Sequence, residues 1–250
     1  MKHKLWVSIF FLVTASIFVA VSCTPTSLAQ KDCVVMLGDS IFALSGEETN
    51  VLQDLSGQKW RTYYVSGAQM TGGTVRTIPQ QYTQAKNANS NIRTVILDGG
   101  GNDVLIGGQS ACTSYTNTLS ASCETILSDV KNATEKMLNQ MATDGVQNVI
   151  WQGYYHTTNA GLHTVADIST ERAIEGIASF QAKHPEMKVI YIDVRPSFSG
   201  APASYTIADG IHPTAASSAT LANLVWNTMV NNGIEQTNSC SSSSSSGGCN

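Results

Sequence analysis

The feature that most constrains the fold is a set of five short apolar runs that do not alternate. Val34–Leu37, Arg61–Val65, Thr94–Leu97, Asn148–Trp151 and Lys188–Ile192 are β-rich, and neighbouring positions within them are apolar together. A strand exposed on one face alternates polar with apolar side chains, whereas a strand covered on both faces does not. Between these runs lie patterns of helical period. The clearest spans Glu124 to Thr143, where Ile126, Leu127, Val130, Met137, Leu138 and Met141 form one stripe that ends before Asp144-Gly145. Others cover Pro79–Lys86, Thr170–Lys183 (stopped by His184-Pro185) and Ala215–Asn231 (stopped by Gly233). Strands alternating with helices predict βαβ units, and therefore a parallel sheet with helices on both faces.

In such a sheet, ligands bind beyond the carboxyl ends of the strands. Ser40 follows the first run, Ser66-Gly67 the second, and Gly99-Gly100-Gly101-Asn102-Asp103 the third. Tyr154-Tyr155-His156 follows the fourth, and Asp193 ends the fifth. Near the C-terminus stands Asp209-Gly210-Ile211-His212. A serine hydroxyl is a weak nucleophile at neutral pH; it needs a base to take its proton, and a carboxylate to hold that base in one tautomer. Ser40, His212 and Asp209 supply these three parts. Taken singly, each segment reads as turn or helix-capping chemistry. Their joint occurrence, each just past an apolar run or just before a helix, is what points to a site. Tyr154, Tyr155 and His156 are candidates to line its substrate pocket. His156 and His163 with Asp167 form no compact ligand set, so neither a metal nor a cofactor is expected. The motifs G-x-S-x-G, G-x-G-x-x-G, H-E-x-x-H and the P-loop are absent from the sequence.

On four blocks the chain resembles the SGNH hydrolase superfamily of GDSL-type esterases and lipases. They are Gly38-Asp39-Ser40-Ile41, Gly67 within Tyr64–Ala68, Gly100-Gly101-Asn102-Asp103 and Asp209-Gly210-Ile211-His212. The resemblance runs from Val34 to Val230 and implies a flavodoxin-like α/β fold, a three-layer α/β/α sandwich with a five-stranded parallel sheet. It also implies Ser40 as nucleophile, His212 as base and Asp209 as its orienting carboxylate. The oxyanion hole would consist of the backbone N–H groups of Ser40 and Gly67 and the side-chain amide of Asn102. The implied activity is hydrolysis of a carboxylic ester, small, lipid or glycan, through an acyl-enzyme. A carbohydrate O-acetyl esterase, or a surface lipoprotein that keeps the fold without catalysis, are the alternatives.

The formal net charge of -4, with no Lys/Arg cluster, argues against nucleic acid as a partner. Lys2 and Lys4 precede an uncharged stretch from Leu5 to Val21, which reads as an export signal over residues 1–29. Two processing sites compete: Ser27-Leu28-Ala29, and a lipoprotein-like Ala20-Val21-Ser22-Cys23 that would anchor Cys23 to a membrane. The expected location is outside a bacterial cytosol: periplasmic, secreted or anchored. Residues 30–236 then form one domain, expected to be a monomer, followed by a Ser-rich tail over 237–250. Export suits disulfides. Cys112 with Cys123, and Cys240 with Cys249, are the expected pairs, leaving Cys33 as an unpaired buried residue.

Overall fold

The structure is a computed structural model that describes residues 29–44 and 46–234. The leader up to residue 28, the candidate lipidation site Cys23 and the tail bearing Cys240 and Cys249 lie outside the described residues.

Strands β1 (Ala29–Leu37), β2 (Gln58–Thr62), β3 (Thr94–Leu97), β4 (Asn148–Gln152) and β5 (Lys188–Ile192) form one sheet. Their order is β2-β1-β3-β4-β5, and every neighbouring pair is parallel. All four residues of β3 and all five of β4 are buried, which is why these runs do not alternate in sequence. Side chains nonetheless enter two separate cores in turn. Val34 and Met36 face α2 (Glu47–Ser56) and α8 (Ala215–Asn231). Val35 and Leu37 face α3 (Ile78–Ala88), α6 (Ala121–Thr143) and α7 (His163–Lys183). The three-layer α/β/α sandwich is therefore the fold observed.

Two expectations shift. The second strand ends at Thr62, because β1 turns away at Gly38. Tyr63 and Val65 then reach only the last carbonyls of that edge, donating to Met36 and Gly38 at 2.8 and 3.0 Å. Helix α2 was not legible, since it carries only Val51, Leu52 and Leu55 as large apolar residues and starts at Gly46 without a side-chain cap. The better-signalled helices have caps: Thr77 and Gln80 form a capping box on α3, Ser120 caps α6 and Thr214 caps α8.

Three short helices crown the carboxyl edge: α1 (Ser40–Ala43), α4 (Gly101–Leu105) and α5 (Gln109–Cys112). A disulfide between Cys112 and Cys123 ties the end of α5 to the first turn of α6, as expected. Cys33 departs from expectation. It is fully buried and disulfide-bonded, with its partner outside the described residues. Among the described residues, no helix is long and apolar enough to cross a membrane.

The Cys112–Cys123 bond closes a loop with a sequence separation of 11. Replacing both cysteines by serine should lower unfolding free energy by about 2–3 kcal/mol, the loop-closure value for a short ring, read from denaturant titration. No change would mean that α5 and α6 stay docked without the crosslink.

Candidate active site

The site begins where β1 ends. Gly38 takes φ +146°, and a Cβ there would lie 2.0 Å from Asp98 Oδ1, so only glycine fits. Its peptide groups are clamped on both sides by the buried Gln81 of α3. Gly38 N donates to Gln81 Oε1 at 2.7 Å, and Gln81 Nε2 donates to Gly38 O at 2.8 Å. The next amide, Asp39 N, donates to Asp98 Oδ1 at 2.7 Å. Asp39 itself caps α1, accepting from Ile41 N at 3.0 Å and from the Tyr154 hydroxyl at 2.8 Å. These contacts fix the backbone on either side of Ser40, which is 9% exposed at the start of α1.

Asp98, at the end of β3, was not singled out in the sequence. It is fully buried. Burial and the neighbouring Asp39 charge hold its carboxyl well above the ordinary carboxylate range. Burial also raises Asp39, although the hydrogen bonds from Ile41 and Tyr154 work against that rise. Of the two, Asp98 is pushed further towards the protonated form, and the bonds from Ile41 and Tyr154 favour the charge on Asp39. Asp98 Oδ2 is buried and without a partner, so it is the oxygen free to carry a proton.

The loop after β3 is pinned to the loop after β2. Asp103 accepts from Met70 N, Thr71 N and the Thr71 hydroxyl at 2.8, 3.0 and 2.6 Å. Gln69 Nε2 donates to Asn102 O at 3.0 Å. Asn102 Nδ2 donates to Ala68 O at 3.1 Å, which uses one of its two N–H bonds and sets the amide beside the Gly67–Ala68 turn. No protein acceptor among the described residues takes the N–H of Ser40 or of Gly67.

Asp209 and His212 sit on a tight turn. Gly210 has φ +71°, and a Cβ there would meet Thr158 Oγ1 at 1.9 Å. Asp209 Oδ1 accepts from Ile211 N and His212 N at 2.9 and 3.0 Å, while Oδ2 bonds His212 Nδ1 at 2.6 Å. Partial desolvation pushes the Asp209 carboxyl up, but the His212 side-chain and backbone bonds outweigh it and bring the pKa down to about 2. The opposite ring atom, His212 Nε2, is buried and has no partner, so no hydrogen bond to Ser40 Oγ is formed in this state. Apo sites often leave that contact open until substrate binds.

The three residues after β4 take different places. Tyr154 lines a cavity of about 600 Å³ that Ser40 and Asn102 also line. Tyr155 lines the same cavity; it is buried against Phe198 and Tyr205 and donates to Ile211 O at 2.8 Å, so it also supports the His212 turn. His156 Nε2 bonds Asp167 at 2.8 Å and stacks on His163. Arg195 closes that group, bonding Asp167 and Asp193. Asp193 is thus committed to Arg195. Among the described residues, no cluster of three or more His, Cys, Asp or Glu side chains is arranged to hold a metal.

A parallel five-stranded sheet with a serine turn after β1 and an Asp-His turn before α8 is the SGNH hydrolase architecture. The chain belongs to the GDSL-like Lipase/Acylhydrolase family, whose model matches residues 34–225, and this makes it an ester-hydrolysing enzyme. No curated protein matches it. Among solved structures it is similar to Axe2, an acetylxylan esterase from Geobacillus stearothermophilus (13% identity, 80% of this chain and 94% of that one, TM-score 0.58). It is also similar to LAE5, an alpha/beta hydrolase enzyme from the metagenome of Lake Arreo, Spain (15% identity, 83% and 96%, TM-score 0.57). A third is a carbohydrate esterase family 2 enzyme with a carbohydrate binding domain from Corynascus thermopiles (15% identity, 85% and 69%, TM-score 0.56). At these identities the likeness is one of fold.

A carboxyl that keeps its proton in the folded state loses stability as pH rises from the unfolded value, about 3.9, towards the raised native one. Asp98→Asn retains an oxygen for Asp39 N–H and removes this linkage. It should melt higher than wild type at pH 8, with a flatter profile between pH 4 and 8. Asp98→Ala orphans the Asp39 amide and should cost about 1–3 kcal/mol relative to Asp98→Asn at every pH. Parallel profiles for wild type and Asp98→Asn would rule out the shared proton.

Proposed function

We propose that the protein is an exported serine esterase that cleaves carboxylic esters through an acyl-enzyme. Ser40 is the nucleophile, His212 the general base and acid, and Asp209 the orienting carboxylate. The observation that carries this reading is the His212 ring. Its Nδ1 is bonded to the Asp209 carboxylate, while its Nε2 is buried and unspent. With the proton on Nδ1, Nε2 presents a lone pair, as a base for Ser40 requires. Because Asp209 is held near 2, it stays charged wherever an imidazole can act as a base.

The Ser40 oxygen attacks the ester carbonyl carbon as its proton passes to Nε2. The carbonyl oxygen becomes an oxyanion, met by the N–H groups of Ser40 and Gly67 and by the remaining N–H of Asn102. Collapse breaks the ester C–O bond, and Nε2 returns the proton to the leaving alcohol. Water then repeats the sequence on the acyl-serine: Nε2 takes its proton, the acid departs and Ser40 regains its hydrogen. Unspent donors at Ser40, Gly67 and Asn102 support this assignment, because the favourable hydrogen bonds are held for charge that develops only in the transition state. Export is supported by the disulfide at Cys112–Cys123 and by the leader composition.

With p-nitrophenyl acetate as substrate, Ser40→Ala and His212→Ala should each lower kcat by about 10⁶, and Asp209→Ala by less. Asn102→Ala should lower it by about 10²–10³. An Asp209→Ala enzyme with wild-type kcat would remove Asp209 from the triad, and undiminished turnover by Ser40→Ala would remove the nucleophile.

A further inference from the structure

The cavity at Ser40 does not stop at the sheet edge. It continues between α6 and α7, down to Trp151 on β4 and Tyr191 on β5. The sequence of α7 makes this space. At spacings of three and four, Ala166, Ser169, Ala173 and Gly176 line the cavity, so the face turned to it is built from small side chains. A Cβ added at Gly176 would meet nothing within 4 Å. Across from them α6 contributes Leu127, Val130 and Leu138. On the outer side, Arg172 of α7 makes a bidentate pair with Glu124 of α6 at 2.6 and 3.0 Å and holds the two helices together over the opening.

We propose that this space is the acyl-chain channel of the enzyme, and that the preferred substrate is an ester of a medium-length fatty acid. The inference rests on the esterase reading above. One end of the channel is walled by the nucleophile Ser40 and by Asn102, so an acyl group bound to Ser40 has its tail directed along it. The interior chemistry favours an alkyl chain over a sugar. The Tyr154 hydroxyl is committed to Asp39, and the Thr170 and Tyr191 hydroxyls are bonded to one another at 3.4 Å. Asp39 is the single buried charged side chain among the described lining residues; Lys131, Glu135 and Glu175 are exposed at the rim. Among the described lining residues, the Thr157 hydroxyl is the one buried side-chain group without a partner, so a glycan entering here would leave most of its hydroxyls unpaired, whereas each methylene of an alkyl chain leaves water for an apolar wall.

The test is kcat/KM for p-nitrophenyl esters from acetate to decanoate, on wild type and on two variants that fill the channel. Wild type should gain roughly threefold to fourfold per added methylene up to about octanoate, the transfer value of one buried CH₂. Gly176→Leu puts a strong helix former into open space, and Ala173→Phe fills the space one turn nearer Ser40. Each should cut the octanoate-to-acetate ratio by roughly tenfold or more, the value of two buried methylenes. Melting curves establish that both variants fold. A flat wild-type profile with acetate turned over, or folded variants with the wild-type ratio, would overturn the channel and leave the esterase reading standing. Failure to hydrolyse any ester would overturn the esterase reading, and the channel with it.

Discussion

The hydrogen bond from the Asp39 amide to the Asp98 carboxyl is the contact on which the site depends. It joins the nucleophile turn to the end of β3, the central strand of the sheet, at 2.7 Å in a fully buried setting. The acceptor is a second acid beside Asp39, an arrangement that is stable only if the two carboxyls hold one charge between them. A protonated Asp98 meets that requirement and leaves Asp39 free to cap α1. Gln81 fixes the preceding peptide from the other side. Ser40 is therefore presented by backbone held at Gly38, Asp39 and Ile41, and its own hydroxyl is left out of the bonding.

The same economy appears elsewhere on the rim. Asp103 spends both oxygens holding the Met70–Thr71 segment, so Asn102 next to it can keep an N–H in reserve. Tyr155 lines the cavity with its ring and spends its hydroxyl on Ile211 O, which holds the turn carrying His212. Beside the reactive groups, Gln81, Asp103 and Tyr155 are committed to hydrogen bonds of their own. This division suits catalysis by preorganised dipoles, which fails when the donors are free to turn away.

How much of this is legible in the sequence follows from the range of each interaction. Strands β3, β4 and β5 and helix α8 announce themselves through local pattern, and they lie where that pattern puts them. The blocks around Ser40, Asn102 and His212 are likewise local, since each is a short turn whose residues act together. Helix α2 is hidden because its sequence has few apolar positions and no capping side chain, so packing against α8 and not propensity makes it a helix. Asp98 and Gln81 were missed because their partners lie 59 and 43 residues away. An aspartate ending a strand looks like any turn residue until the strand order places it under Gly38. The Cys33 bond is hidden for a different reason: a cysteine at a strand start reads equally well as a small apolar residue. The small-residue face of α7 was overlooked because Ala, Ser and Gly suit a packed helix interface as well as an open channel.

The central claim is that Ser40 is the nucleophile and that His212 activates it. The most direct measurement is active-site labelling with an alkyl fluorophosphonate, in which the attacking oxygen forms a P–O bond and fluoride departs, followed by mass spectrometry of the digested protein. The account predicts one adduct per chain, on the peptide containing Ser40, and its disappearance in His212→Ala. An adduct on a different residue, or an unmodified Ser40 in protein that still hydrolyses esters, would contradict it.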